Sequence, residues 1–303
     1  MAPKDENRVE VVVGERTLSL SNLDKVMYPA VGFTKGEVIE YYARIAPVML
    51  AHVSGRCMTM RRWPDGVDGQ SFFNKRCPSH RPGWLGVALG PGDRGGEIHY
   101  CCIEEPASLV WTANMASLEL HAPMARSADL ESPTIMVFDL DPGPPAGMTE
   151  CCRVALELRD VLASVQLEAF AKTSGSKGLQ VYVPLNAPHT HDHASSFALA
   201  VGQLMAKQQP DKVLVEMAKA LRPGKVFIDW SQNSRHKTTV AVYSLRARER
   251  PTVSTPVDWD EVAAGAAGAP LAFTSDEVLA RVEGRGDLFA PVATLVQHLP
   301  TAS

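Results

Sequence analysis

The sequence predicts a mixed α/β fold of the α+β kind, and three observations carry that reading. Short β-prone runs are separated by tight turns, as in residues 9–13 and 17–20 about Gly14-Glu15. Amphipathic stretches with capping residues lie between them, as where Thr34 precedes Val38, Tyr41, Tyr42, Ile45 and Val48 at helical spacing. Two apolar runs end in carboxylates, Thr134-Ile-Met-Val-Phe-Asp-Leu-Asp-Pro-Gly143 and Val226-Phe-Ile-Asp229.

The chain of 303 residues is long enough for one large domain or two small ones with a sizeable core. Hydrophobic residues at 45% and charged residues at 21% are ordinary for a globular chain. A net charge of -4 announces no polyanion, so a nucleic acid must be met by local basic patches. None of the six cysteines forms a C-x-x-C, and adjacent pairs such as Cys101-Cys102 are poor disulfide frameworks. With no signal peptide and no apolar run of membrane length, the chain reads as a cytoplasmic protein of the reducing cytosol, without a membrane partner.

In order, residues 1–8 are polar and expected to be frayed, and residues 9–20 form a hairpin. Thr34-Lys-Gly-Glu37 fits a capping box, hydroxyl at N-cap and carboxylate at N3. Lys25 and Lys35 thereby sit on a loop and in a helix's first turn, either as solvated cations or as ligands of a phosphate. Strands follow at 57–63 and 70–75. Phe72 and Phe73 stand there among Arg61, Arg62, Lys75, Arg76 and Arg81, a plausible stacking platform for a nucleic-acid base. A strand at 97–103 leads to a helix opened by Pro106, and Leu118-Glu-Leu-His121 is extended. After the 134–143 run, Thr149 is read as the cap of a helix bearing Val154, Leu158 and Leu162.

Lys172-Thr-Ser-Gly-Ser-Lys-Gly178 is a turn between two strands, either a plain Gly-rich hairpin or a phosphate cradle of N–H groups, hydroxyls and Lys177. It is not a Walker A motif, which leads into a helix. His189, His191 and His193 lack a Cys or Glu partner set, which argues against zinc. Helices are expected at 193–207 and 213–221, a loop or frayed helix at 262–269 and a capped helix at 275–282.

The carboxylates hold the most chemical information. Positions two apart on a strand share a face, so Asp139 and Asp141 project together, and Pro142-Gly143 ends the strand. Two such carboxylates repel unless a proton or cation neutralises them, and an all-oxygen site suits Mg²⁺ or Mn²⁺. A surface Asp-Pro-Gly turn is the plainer alternative. Asp229, alone on an apolar strand, either faces solvent or has a cationic partner. Three carboxylates, a Gly/Ser/Lys turn and the basic run from Arg235 to Arg250 are the parts of metal-dependent phosphoryl chemistry.

The order of these motifs resembles the polymerase domain of bacterial DNA ligase D, within the archaeo-eukaryotic primase superfamily. The resemblance runs from about Thr17 to Glu261. It rests on Leu23-Asp-Lys25, Thr34-Lys-Gly36, Phe72-Phe-Asn-Lys75, Leu118-Glu-Leu-His121, Phe138-Asp-Leu-Asp-Pro-Gly143, Lys172 to Gly178, Phe227-Ile-Asp229, Gln232-Asn233, Tyr243-Ser-Leu-Arg-Ala-Arg248 and Val253-Ser-Thr-Pro256. It implies a primase-like catalytic core of mostly antiparallel sheets flanked by helices, in a single, stand-alone domain over 9–303. Residues of about 9–130 would bind the 5′-phosphate and template, and those of about 131–300 the metal and nucleotide.

The resemblance also implies roles. Asp139, Asp141 and Asp229 match the metal-binding carboxylates, with two Mn²⁺ or Mg²⁺ ions, and His121 the active-site histidine. Ser174, Lys177, Gln180 and Arg246 fall where a nucleoside triphosphate is held. Lys25 and Lys35 match a pocket for a 5′-phosphate at a gap or break in DNA, and Phe72, Phe73 and Lys75 match the template contact. Ribonucleotides are often preferred, partners include a ligase and end-binding repair proteins, and the chain is expected to be a monomer. Position 180 departs from the pattern, which usually has His. Gln cannot carry charge to a triphosphate, though its amide donates two hydrogen bonds. The departure keeps open a second reading, a DNA gap- or end-binding module with weakened catalysis. A phosphatase of the Asp-x-Asp type is disfavoured by Pro142-Gly143.

Overall fold

The computed structural model describes residues 8–92 and 95–300. Its centre is the strand Ile135–Pro142, which pairs antiparallel with Leu179–Pro184 on one side and Val226–Asp229 on the other. Alternation along this strand divides the molecule. Met136, Phe138 and Leu140 enter one core with Val154, Leu158 and Leu162 of the helix Met148–Ser164 and Ala198 and Met205 of the helix His191–Gln208. Ile135 and Val137 enter the other core, and Asp139 and Asp141 continue their face of the strand to the point where apolar cover stops.

The strand ends where the residues require it. Pro142 has no N–H to donate, and a Cβ on Gly143 would lie 2.0 Å from the Arg222 carbonyl oxygen. The full sheet has six strands, in the order Val213–Leu214, Val226–Asp229, Ile135–Pro142, Leu179–Pro184, Phe170–Thr173 and Pro256–Val257. All neighbours are antiparallel except the first pair.

A second, antiparallel sheet runs Thr238–Val240, Ser117–Pro123, Thr59–Arg62 and Phe72–Asn74. Behind it lies the helix Lys35–Val53, capped by Thr34 and Glu37 as the sequence requires. Its Tyr41 and Tyr42 hydroxyls donate to the carbonyls of Tyr243 and Leu118, which satisfies two buried phenols. The Tyr182 hydroxyl and Thr239 Oγ1, 2.7 Å apart, join the two sheets. The site cleft opens between them.

Several expectations are corrected. Arg8 opens the strand Arg8–Val13 and pairs with Ser21, whereas residues 1–7 of the stretch expected to be frayed lie outside the described residues. The helix expected over 213–221 is a two-residue strand and a short 3-10 turn, Lys219–Leu221, because Val213 and Leu214 pair with the sheet. The helix at 148 is capped by Gly147, whose N–H is taken by Glu150, so Thr149 lies inside the first turn. Residues expected to be loop or frayed helix begin with the regular helix Trp259–Ala266. Cys77 and Cys101 are joined in a disulfide that their spacing did not announce, and Cys57, Cys102, Cys151 and Cys152 are free and buried. Both ring nitrogens of His191 face backbone carbonyls, those of Asn233 and Leu130, so that histidine serves the fold. Among the described residues no helix is long and apolar enough to cross a membrane.

Candidate active site between the two sheets

Register places the site's polar groups. Asp139 stands directly opposite Asp229 on one neighbouring strand and opposite Gln180 on the other, and Gln180 stands opposite Lys172. Asp139 and Gln180, with Asp141 and His121, border an open cleft of about 330 Å³ that Ser174, Ser176, Lys177, Gln232, Arg246 and Arg248 also line. Asp229 belongs to this cluster by register.

Burial and the charges of Asp141 and Asp229 raise the Asp139 carboxyl to about 7, against the opposing pull of Gln180 and Lys172. Asp141 is raised by burial and by Asp229. Asp229 is 9% exposed, so it does not face solvent, the first of the two expectations for it. It accepts instead from the Ser231 N–H and hydroxyl and from Gln232 Nε2, at 3.1, 2.6 and 2.8 Å. Hydrogen bonding of this kind offsets the cost of burying a carboxylate.

Among the described residues no three His, Cys, Asp or Glu side chains are grouped so that they could hold a metal ion as they stand. The fit to a divalent cation lies in the chemistry of the donor set. Three carboxylates stand at adjoining positions of two paired strands, burial and then mutual repulsion raise two of them, and every donor is a hard oxygen.

The Ser174 turn is closed from within. The Ser174 hydroxyl accepts from the N–H groups of Ser176 and Gly178, at 3.3 and 3.2 Å, which leaves its own proton to donate. Gly175, at φ +66°, turns the chain, and a Cβ on Gly178 would lie 2.3 Å from the Leu140 carbonyl oxygen. Lys177 is exposed at the rim, and Arg246 reaches across to donate to the Ser174 carbonyl.

One residue that sequence reasoning missed organises the other wall. Glu119 is 1% exposed and lies on the His121 face of its strand. Its Oε1 accepts from Arg246 Nε at 3.1 Å and the Ala247 N–H at 3.2 Å, while Oε2 is 3.0 Å from His121 Nε2 and 3.6 Å from Arg61. Burial alone would raise this carboxyl, but His121 and Arg246 outweigh it and hold it at about 2. Burial lowers His121 in turn, against the pull of Glu119. The signal was present in Leu118-Glu-Leu-His121, where a carboxylate between two leucines needs a partner. Lys172, fully buried, was the other omission.

Phe72 and Phe73 are 44% and 57% exposed on the edge strand of the smaller sheet. Arg62 and Arg61 pack on their rings, and Phe73 meets His121 edge-on at 5.6 Å. Lys75 lies outside the cleft, in a neighbouring groove with Arg235 and Lys237. Lys25 and Lys35 are brought together because the Leu23 and Lys25 carbonyls accept the first free N–H groups of the helix, from Gly36 and Lys35. Burial and the cations Lys25, Arg8 and Arg62 lower Lys35 to about 8.

A profile of the LigD primase-polymerase domain matches residues 34–289. The chain belongs to that family. LigD primase-polymerase domains are DNA-directed nucleotidyltransferases, and the fold agrees. The solved polymerase domain from Mycobacterium tuberculosis Ligase D, in complex with DNA, superposes with a TM-score of 0.87 at 42% identity. That match covers 92% of this chain and 99% of the other. The multifunctional non-homologous end joining protein LigD of Mycolicibacterium smegmatis is 46% identical over 281 residues, 90% of this chain and 36% of its own length. The bifunctional LigD of Bacillus subtilis is 29% identical over 270 residues, 89% of this chain and 43% of its own. The chain thus spans well under half the length of these LigD proteins.

Proposed function

We propose that the chain is a metal-dependent, DNA-templated nucleotidyltransferase that fills short gaps or ends bearing a 5′-phosphate, in DNA repair of the end-joining type. The observation that carries this is the crossing of Asp139 and Asp229 on adjacent strands, with Asp141 beside them, opposite the Arg246 and Lys177 wall of one cleft. Asp139, Asp141 and Asp229 would hold two Mn²⁺ or Mg²⁺ ions. Bound there, the cations supply neutralisation of charge on the reacting phosphate oxygens.

Arg246 and Lys177, with the Ser174 hydroxyl, hold the triphosphate. Glu119 fixes Arg246 and His121 so that little reorganisation is left for the reaction. A primer 3′-hydroxyl attacks the α-phosphorus and pyrophosphate leaves. The 9–130 half supplies Lys25 and Lys35 for the 5′-phosphate and Phe72 and Phe73 for template bases, with Lys75 beside the DNA path. The 131–300 half supplies the carboxylates and the nucleotide site. Ribonucleotides and deoxynucleotides are both candidate substrates, and a ligase with end-binding proteins are the partners such a reaction requires.

Extension across gaps of increasing length, with and without the 5′-phosphate and with either sugar, tests this reading. The expected result is extension favoured by short gaps and by the 5′-phosphate. A chain that binds such gaps through Lys25 and Lys35 but incorporates nothing with any metal would be a binding module instead.

A further inference from the structure

Four residues stand in one line across the large sheet. Lys172 pairs with Gln180, Gln180 with Asp139, and Asp139 with Asp229, through three successive antiparallel ladders. Directly opposed residues share a face, so all four side chains leave the sheet on the same side.

The line is anchored at its Lys172 end. Lys172, 0% exposed, has three N–H donors and uses them on the Val240 carbonyl at 3.1 Å, Ser254 Oγ at 2.7 Å and Gln180 Oε1 at 2.5 Å. Ser254 Oγ is itself fixed, donating to the Thr173 carbonyl at 2.9 Å. An ammonium has no acceptor to offer, so only the oxygen end of the Gln180 amide can face Lys172. The NH₂ end is thereby turned the other way, towards Asp139, its partner across the ladder.

Resting on the reading of Asp139 as a metal ligand, we propose that Gln180 is a positioning residue for the Asp139 carboxylate. Lys172 sets the orientation of the amide, and the amide sets that of the carboxylate. Gln180 then acts first on the metal site. With Oε1 taken by Lys172 and one N–H by Asp139, a single N–H donor remains for a triphosphate. A neutral imidazole offers the same pair, one nitrogen accepting and one donating, so histidine at this position preserves the link and leucine cuts it.

The test is Mn²⁺ binding to the full chain without nucleotide or DNA, followed by electron paramagnetic resonance of the free ion. Gln180→Leu and Lys172→Met are each expected to raise the Mn²⁺ dissociation constant about tenfold or more, the loss typical when a ligand's hydrogen-bonding partner is removed. Gln180→His is expected to stay within about threefold of the parent, because its ring keeps both hydrogen bonds. Triphosphate KM at saturating Mn²⁺ is expected to change by a smaller factor than the Mn²⁺ dissociation constant in Gln180→Leu. Should that variant fail to fold by circular dichroism, Gln180→Met keeps the length without the amide and decides in its place. Parent-like Mn²⁺ affinity in Gln180→Leu or its substitute, with a raised triphosphate KM as the sole defect, overturns the proposal. A parent that binds no Mn²⁺, or an Asp139→Ala variant that binds it equally well, removes the metal reading itself.

Discussion

Glu119 holds Arg246 across the site cleft, its Oε1 3.1 Å from Arg246 Nε, and so joins two strands 127 residues apart in sequence. The same carboxylate takes His121 and Arg61, so one buried charge orders three cationic or ionisable side chains. Through His121 it also reaches Phe73, which links the exposed aromatic rings to the Arg246 wall of the cleft.

Glu119→Gln keeps the shape and removes the charge. It leaves Arg246 facing a neutral amide, and breaking a buried pair in this way costs about 3–5 kcal/mol. Urea unfolding of the variant should show a loss of that size. Triphosphate affinity should fall with it, because Arg246 is no longer held towards Ser174.

Acid should act on the same group. Its folded pKa, about 2, is depressed from the usual 4.5, so the stability it contributes is complete above 4.5 and lost as pH falls towards 2. Urea midpoints measured down through that window should decline, and decline less steeply in Glu119→Gln.

The aromatic platform should matter for binding and not for folding. Phe72 is 44% exposed, so Phe72→Ala should leave unfolding free energy within about 0.5 kcal/mol. Affinity for gapped DNA should weaken by about 1–3 kcal/mol, the worth of one base stacked on an aromatic ring. Fluorescence anisotropy with a labelled gap measures the second quantity.

Lys25 and Lys35 should together read the 5′-phosphate. Removing either, as Lys25→Ala or Lys35→Met, should erase most of the preference for a phosphorylated gap over a hydroxyl one. Each should also lower the slope of log affinity against log salt by about one, as loss of one phosphate contact does. Affinities measured at several salt concentrations check this.

Local chemistry made much of this legible from residues alone. Period-two alternation placed Asp139 and Asp141 on one face, Pro142-Gly143 ended their strand, and Thr34 with Glu37 fixed the start of a helix. The register of the Asp139 strand did not follow from sequence, because its partners Gln180 and Asp229, 41 and 90 residues further on, leave no local trace. The alignment of Lys172, Gln180, Asp139 and Asp229 therefore emerged only in the folded sheet. Glu119 was hidden for the same reason, its Arg246 partner lying far along the chain. The segment at 213 misled because a short apolar pair that joins a sheet edge resembles the start of a helix.

On the proposed function, nucleotides are joined where Asp139 faces Asp229 across paired strands, beside Asp141. The most direct measurement is primer extension on a 5′-phosphorylated gap with Mn²⁺, comparing the parent with Asp139→Ala and Asp141→Ala. Extension by the parent is expected, with a fall of about a hundredfold or more in either variant, the scale lost when one charge-stabilising element is removed. Equal extension by the parent and both variants would contradict the account.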